Sequence, residues 1–310
     1  MLHLPLAKEV LDRAAHLRSD QAALDRLERD GTFYLHIDGT WSVDDRGLVQ
    51  YSFAESRAYA EGAECYFLGV VPASAGGEQV GHFLLHHLQE PTSGHEGLRL
   101  ENLRSKVALF SPLHIDVAMH GQGLANWHSH HPFCARCGKV TTPIIGGAVR
   151  SCEDGHQHHP RTDPAIITLI KDREDRILLG HQATWPKGRF STFAGFVEPG
   201  ESFEAALHRE VAEEAGVRIS EYHYLGSQPW PFPSSVMIAF EAITDDPQSA
   251  RPDGEEIVEI RWFDRASLLA ATKDGSLLLP PPISVARAMI ERWYREKDLE
   301  PLATEDAWRT

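Results

Sequence analysis

Runs of branched and aromatic residues alternate along the chain with polar breaks that carry glycine or proline. In the C-terminal half, AIITLIK (165–171) and RILLGHQ (176–182) read as strands joined by the charged turn DRED. YHYLGS (222–227), VMIAFEAI (236–243) and IVEIRWF (257–263) predict further strands. The period changes over 202–215, where apolar residues recur at helical spacing. Asp264 is placed to cap a helix over RASLLAA, and Ser284 to start one over VARAMIERWYRE. Strands interspersed with helices predict a mixed sheet packed between helices. In the N-terminal part, TFYLHIDG (32–39), ECYFLGVV (64–71) and HFLLHHL (82–88) read as strands, and GLRLENLRSKVALF (97–110) as a connection into a helix. EPTSGHEG (90–97) reads as a loop. Residues 1–125 are expected to form an α+β domain, 126–162 a small metal-stapled ribbon, and 163–310 a second α/β domain.

Composition narrows the partners. With 30 basic and 45 acidic residues the net charge is -15, which argues against a duplex-coating or membrane-surface protein. A phosphate-bearing substrate held through metal ions stays compatible with that charge. No apolar run approaches the roughly 20 residues of a membrane span, and the first residues lack a signal peptide's basic start, so a cytoplasmic location is expected. Cys65 lies in a strand-like apolar run and is expected to be a buried, inert thiol.

The other three cysteines cluster. Cys134 and Cys137 form a C-x-x-C knuckle, and Cys152 follows 15 residues after Cys137. Zinc favours four tetrahedral sulfur and nitrogen ligands, so a fourth must come from near Cys152. His156 and His158 are the candidates, and His156 is preferred. A stretch this small cannot bury a core of its own, which assigns the Zn2+ a structural task.

On a helical wheel over 202–215, Phe203, Leu207 and Val211 form an apolar stripe. Glu210 and Glu214 lie beside that stripe rather than opposite it, with Glu213 flanking them. Carboxylates turned toward a packed face are costly unless something positive meets them, and a like-charged i, i+4 pair opposes the helix further. Hard divalent cations with oxygen ligands resolve the conflict. Downstream, SQPWPFPSS (227–235) alternates proline with Trp230 and Phe232. Proline gives the sheet ladder no N–H, so this stretch predicts an extended, polyproline-like path and no central strand.

Gly195, Glu201, Arg209, Glu210, Val211, Glu213, Glu214, Gly216 and Val217 match G-x5-E-x7-R-E-U-x-E-E-x-G-U, with U aliphatic, without a departure. This pattern resembles the Nudix box. With the Cys/His stretch before it and SQPWPFPSS after it, the chain is similar to the NADH pyrophosphatase (NudC-like) branch of the Nudix hydrolases. The resemblance is strong over roughly 126–297; PRTDPAII, Glu256, Glu259, Trp262 and Phe263, and LPPPISVAR also fit it.

The resemblance implies a zinc ribbon followed by a Nudix α/β/α sandwich with a mixed sheet, in a homodimer. It implies Mg2+ or Mn2+ held by Glu210, Glu214, Glu256 and the Ala194 carbonyl, with Glu213 as a further carboxylate or base. It places the dinucleotide against Phe196, Gln228, Pro229, Trp230, Pro231, Phe232, Pro233, Ser234, Ser235 and Ala286, and it implies that Arg209 pairs with Glu201. His159 stands where the family has an aromatic residue. The implied reaction is hydrolysis of the pyrophosphate of NADH or NAD+ to AMP and nicotinamide mononucleotide, and the 5′ end of NAD-capped RNA offers the same bond. ADP-ribose or another nucleoside diphosphate derivative is the alternative substrate.

Overall fold

The computed structural model describes residues 2, 4–71, 79–88, 97–297 and 300–302. Residues 90–96 of the expected EPTSGHEG loop lie outside them. The chain divides into two units. One gathers the described residues of 1–7 with 163–230 and 235–310; the other holds those of 8–162 with 231–234.

The first unit is built on a six-stranded mixed sheet. Its main path runs Glu221–Trp230, Ser235–Thr244, Asp163–Asp172, Ile177–Gln182, Ile257–Phe263, and Phe193–Phe196 pairs with Asp163–Asp172 from the side. The central pair, Asp163–Asp172 with Ser235–Thr244, is parallel and its neighbours are antiparallel. Alternation along Asp163–Asp172 sends Ile166 and Ile170 to one face and Ile167 and Leu169 to the other. Helix Phe203–Ala215 covers the first face through Leu207 and Val211. Helix Val285–Arg295 covers the second through Met289, Ile290 and Trp293, and Leu268 of helix Arg265–Lys273 joins it. Asp264 and Ser284 cap these two helices as expected, accepting from the Ser267 and Arg287 amides. Leu4 and Leu6 are buried in this unit, where the Leu2 amide donates to the Leu225 carbonyl (3.2 Å) and the Leu6 amide to Gln228 Oε1 (3.3 Å).

The second unit has a seven-stranded sheet whose main path runs Gly47–Leu48, Thr40–Asp44, Thr32–Ile37, Val80–His87, Glu64–Val71. Helix Pro112–His130 belongs to the same unit, buried at positions all round its circumference, from Ile115 and Val117 to Trp127 and His128. Residues 126–130, expected in the ribbon, are its last turn. A three-stranded ribbon follows: Thr141–Ile144, Val149–Cys152 and Gln157–His158. Buried Arg150 ties the ribbon to helix and sheet, donating to His128 Nδ1 (2.7 Å), Glu64 Oε2 (3.0 Å) and the Thr141 carbonyl (2.8 Å). Cys65 corrects an expectation. It lies in strand Glu64–Val71 but is exposed, because it sits at the open start of the strand, before Tyr66, Phe67 and Leu68, which are buried on both faces. Local desolvation, with the Glu28 carboxylate adding to it, still pushes the thiol up to about 12, so it stays protonated.

This second unit is expected to be acid-labile. His36 and His86 share one hydrogen bond between Nδ1 atoms (3.0 Å), and His82 bonds Tyr34 Oη (3.0 Å). Burial, reinforced by the neighbouring His86, pushes His36 down to about 3. Burial likewise pushes His82 and His86 down to about 4. The unfolded chain takes up these protons near pH 6.5 and the folded chain refuses them until about 3 to 4, so the stability they contribute is lost as pH falls through that window. Near-ultraviolet dichroism should show tertiary structure collapsing between pH 6 and 4 (roughly, from these shifts). Intact tertiary signal at the acid end would contradict the burial.

Candidate active site

Ser202 starts helix Phe203–Ala215, its Oγ accepting from the Ala205 amide (3.1 Å), and Gly216 ends it in the left-handed conformation (φ 69). The helix buries Leu207 and Val211 and, with them, Glu210 and Glu214, which are 9% and 5% exposed. Phe203, expected in the apolar stripe, is 41% exposed. At the first helical position its side chain leans back beyond the helix end, where no turn lies beneath it.

Glu214 is the most conflicted group of the site. Its Oε2 is buried without a hydrogen-bond partner among the described residues, while the Ala194 amide donates to the carboxylate. Burial, then the charges of Glu256 and Glu210, push its pKa up to about 8. Burial also raises Glu210, against the pull of Arg209. Glu256 sits just before strand Ile257–Phe263 and accepts from Gln182 Nε2 (2.6 Å). Three carboxylates from a helix and a strand end therefore act on one another electrostatically, and one of them has an oxygen that nothing among the described residues serves. An all-oxygen donor set of this kind fits a hard divalent cation.

Arg209 orders the loop around this cluster. It donates to Glu201 Oε1 (2.9 Å) and Oε2 (2.8 Å), to the Phe196 carbonyl (3.0 Å), to Glu210 Oε1 (2.8 Å) and to Glu213 Oε2 (3.1 Å). The bidentate bond to Arg209, helped by the Glu198 amide, brings the Glu201 carboxyl down to about 2. The glycine that opens the motif has a steric reason: a Cβ on Gly195 would lie 1.9 Å from Glu210 Cδ and Oε1. Asp253, which adds to the upward shift of Glu214, and Gln182, which holds Glu256, went unread in the sequence. Neither position carries a spacing that marks it.

The Pro-aromatic stretch departs from its expected extended, polyproline-like path. Ser227, Gln228, Pro229 and Trp230 finish the edge strand Glu221–Trp230, residues 231–234 turn, and Ser235 opens the antiparallel neighbour. An edge strand tolerates proline because its outer N–H positions need no partner. Gln228 is wholly buried with both ends of its amide in use, Nε2 donating to the Ile283 carbonyl (3.0 Å) and Oε1 accepting from Leu6. Its side chain holds the hairpin from beneath rather than facing outward. Trp230 and Phe232 are half-buried, Pro231 is buried and Pro233 is exposed. Pro231, Phe232, Pro233 and Ser234 are grouped with the second unit, where Asn126 Nδ2 donates to the Pro231 (3.0 Å) and Pro233 (2.8 Å) carbonyls. Phe196 is 61% exposed at a strand end, as a stacking face would be. Ala286 is buried in the first turn of Val285–Arg295, a turn whose amides have no partner within the helix. His159 is exposed.

In the ribbon, one donor atom from each of Cys134, Cys137, Cys152 and His156 lies within 4.8 Å of the others. Three thiols and an imidazole at this separation are a donor set suited to zinc. His158 takes a different position, its Nε2 lying 3.2 Å from Cys134 Sγ, where it can donate to the thiolate.

Comparison with known proteins agrees with this geometry. Residues 161–279 match the NUDIX domain family. The chain is 38% identical over 304 residues to the NAD-capped RNA hydrolase NudC of Mycobacterium bovis (strain BCG / Pasteur 1173P2), covering 94% of this chain and 95% of that one. It is 37% identical, with the same coverage, to the protein of that name from Mycobacterium tuberculosis (strain H37Rv). To the human NAD-capped RNA hydrolase NUDT12 it is 33% identical, over 80% of this chain and 54% of the relative. A complete motif, a mixed sheet between helices and identity sustained along nearly the whole of both bacterial chains place this protein among the Nudix hydrolases, in the NudC-like family.

Proposed function

We propose that this hydrolase cleaves the pyrophosphate bond of NADH and NAD+, giving AMP and (reduced) nicotinamide mononucleotide, and the same bond at the 5′ end of NAD-capped RNA. The observation that carries the reading is the partnerless oxygen of Glu214, held in a cluster of mutually repelling carboxylates. The names of the curated relatives support the choice of substrate.

Glu210, Glu214 and Glu256, with the main-chain carbonyl of Ala194, would hold Mg2+ or Mn2+. When bound, such ions neutralise pyrophosphate oxygens and lower the pKa of attacking water. Glu210 and Glu214 are held on a rigid helix, so their carboxylates need little reorganisation when substrate arrives. Arg209 keeps Glu201 and the Phe196 carbonyl in place. Glu213, exposed on its outer side, has room to accept a proton from water. Phe196 offers an aromatic face to the nicotinamide. The stiff Pro229–Ser235 hairpin presents main-chain groups to the dinucleotide at small entropic cost. Cys134, Cys137, Cys152 and His156 would hold a structural Zn2+. Among the described residues no helix is long and apolar enough to cross a membrane. The homodimer implied by the resemblance belongs to this reading, and light scattering tests it.

Mixing purified protein with NADH and Mn2+ should yield AMP and reduced nicotinamide mononucleotide, and chelator should stop the reaction. Intact NADH in the presence of folded, metal-supplied protein would overturn the reading and direct attention to ADP-ribose.

A further inference from the structure

Of the three clustered carboxylates, Glu256 has the weakest anchorage of its own. Glu210 and Glu214 ride on a helix, whereas Glu256 is exposed on the segment just before strand Ile257–Phe263. A side chain placed there keeps its rotamer freedom unless something holds it. Three contacts hold it, all within the first unit. Asp253 Oδ1 accepts from the Glu255 (2.8 Å) and Ile257 (2.9 Å) amides on either side of it. The Ala183 amide donates to the Glu256 carbonyl (3.3 Å). Gln182 Nε2 donates to the carboxylate itself, at Oε1 (2.6 Å).

The sheet is adjusted to bring Gln182 there. Strands Ile177–Gln182 and Ile257–Phe263 keep one register from Ile177 opposite Phe263 to His181 opposite Glu259, and then shift, so that Gln182 lies opposite Ile257. An unbroken register would set it opposite Val258. The bulge carries Gln182 one residue nearer to Glu256, and bulges beside a site commonly serve to re-aim a side chain. The donor is also neutral. Arg209 grips Glu210 with a cation, but an amide grips Glu256. An amide sets the direction of a carboxylate without cancelling its charge, and this one engages Oε1 alone.

We propose that Gln182 is a positioning residue, which holds the Glu256 carboxylate in the orientation a divalent cation needs while leaving it its full charge. The proposal rests on the reading of Glu256 as a metal ligand given above. A cationic donor at this position would compete with the ion. With no donor, the ion would have to order the side chain itself. Gln182 therefore sets how much metal the enzyme needs rather than how fast the metal-saturated enzyme turns over.

The test adds Mn2+ to protein stripped of loosely held metal and reads free Mn2+ by electron paramagnetic resonance, with no substrate present. Gln182→Met keeps the length and loses the donor, and its Mn2+ dissociation constant should rise about tenfold. Gln182→Lys sets an ammonium against Glu256 and should raise it about a hundredfold. In assays with NADH, the Mn2+ concentration for half-maximal rate should shift in the same order, while kcat of Gln182→Met at saturating Mn2+ stays within about threefold. Glu256→Gln is the reference: it should weaken Mn2+ binding by itself, and adding Gln182→Met to it should cost nothing more. Unchanged affinity in Gln182→Met, a full second loss in the double variant, or a Gln182→Lys that binds no more weakly than Gln182→Met would overturn the proposal. Wild-type affinity in Glu256→Gln would overturn the reading of Glu256, and this proposal with it.

Discussion

Glu214→Gln should lower kcat/KM for NADH by about a thousandfold, since it removes an oxygen proposed to hold the divalent cation. The same substitution should stabilise the metal-free protein. The metal-free wild type must either hold Glu214 protonated, since burial and the charges of Glu256 and Glu210 push it up to about 8, or bear their repulsion. A neutral amide of the same shape avoids that repulsion, and a gain of roughly 1–3 kcal/mol is expected in chelator. In saturating Mn2+ the order should reverse, because only the wild type gains the full linkage stabilisation from the ion. Thermal melts with and without Mn2+, beside steady-state kinetics, check both halves. Near-normal turnover in the variant would refute the assignment of Glu214.

Gly195→Ala is expected to be almost as damaging, although it adds one methyl group. The new Cβ would fall 1.9 Å from the Glu210 carboxylate, so the carboxylate or the strand Phe193–Phe196 must move. Glu210 is clamped by Arg209 and packed at the helix surface, which leaves it little freedom to turn aside. A loss of about a hundredfold in kcat, with about 1–3 kcal/mol of stability, follows from overpacking at a site that must be placed to a fraction of an ångström. The kinetics of the variant, with its melting temperature as control, provide the check. Full activity would mean that the position of Glu210 does not matter.

The site's helix was legible because its rule is local. A 3.6-residue period shows which face each carboxylate takes, and a motif of fixed spacing does the rest. The strands of the first unit were legible for the same reason, through alternation and the caps Asp264 and Ser284. Helix Pro112–His130 was not foreseen beyond a connection leading into it. It is buried round its circumference, so it shows no polar stripe to set its period against. The proline stretch was read from a local preference, and a tertiary constraint overrode it: an edge strand accepts proline on its outer side. Gln228 shows the limit most clearly. Its neighbours suggested a substrate contact, while its amide is spent on Ile283 and Leu6, residues far away in the sequence.

The docking of Leu4 and Leu6 has a consequence for how this chain is made. Both leave the ribosome before any part of the strand that receives them exists. The Nudix unit cannot close its core until Gln228 and the helix Val285–Arg295 have followed. In the meantime the two leucines have no core to pack into. A fragment starting at residue 163 would be synthesised without them and would carry an open apolar groove, prone to sticking to whatever it meets.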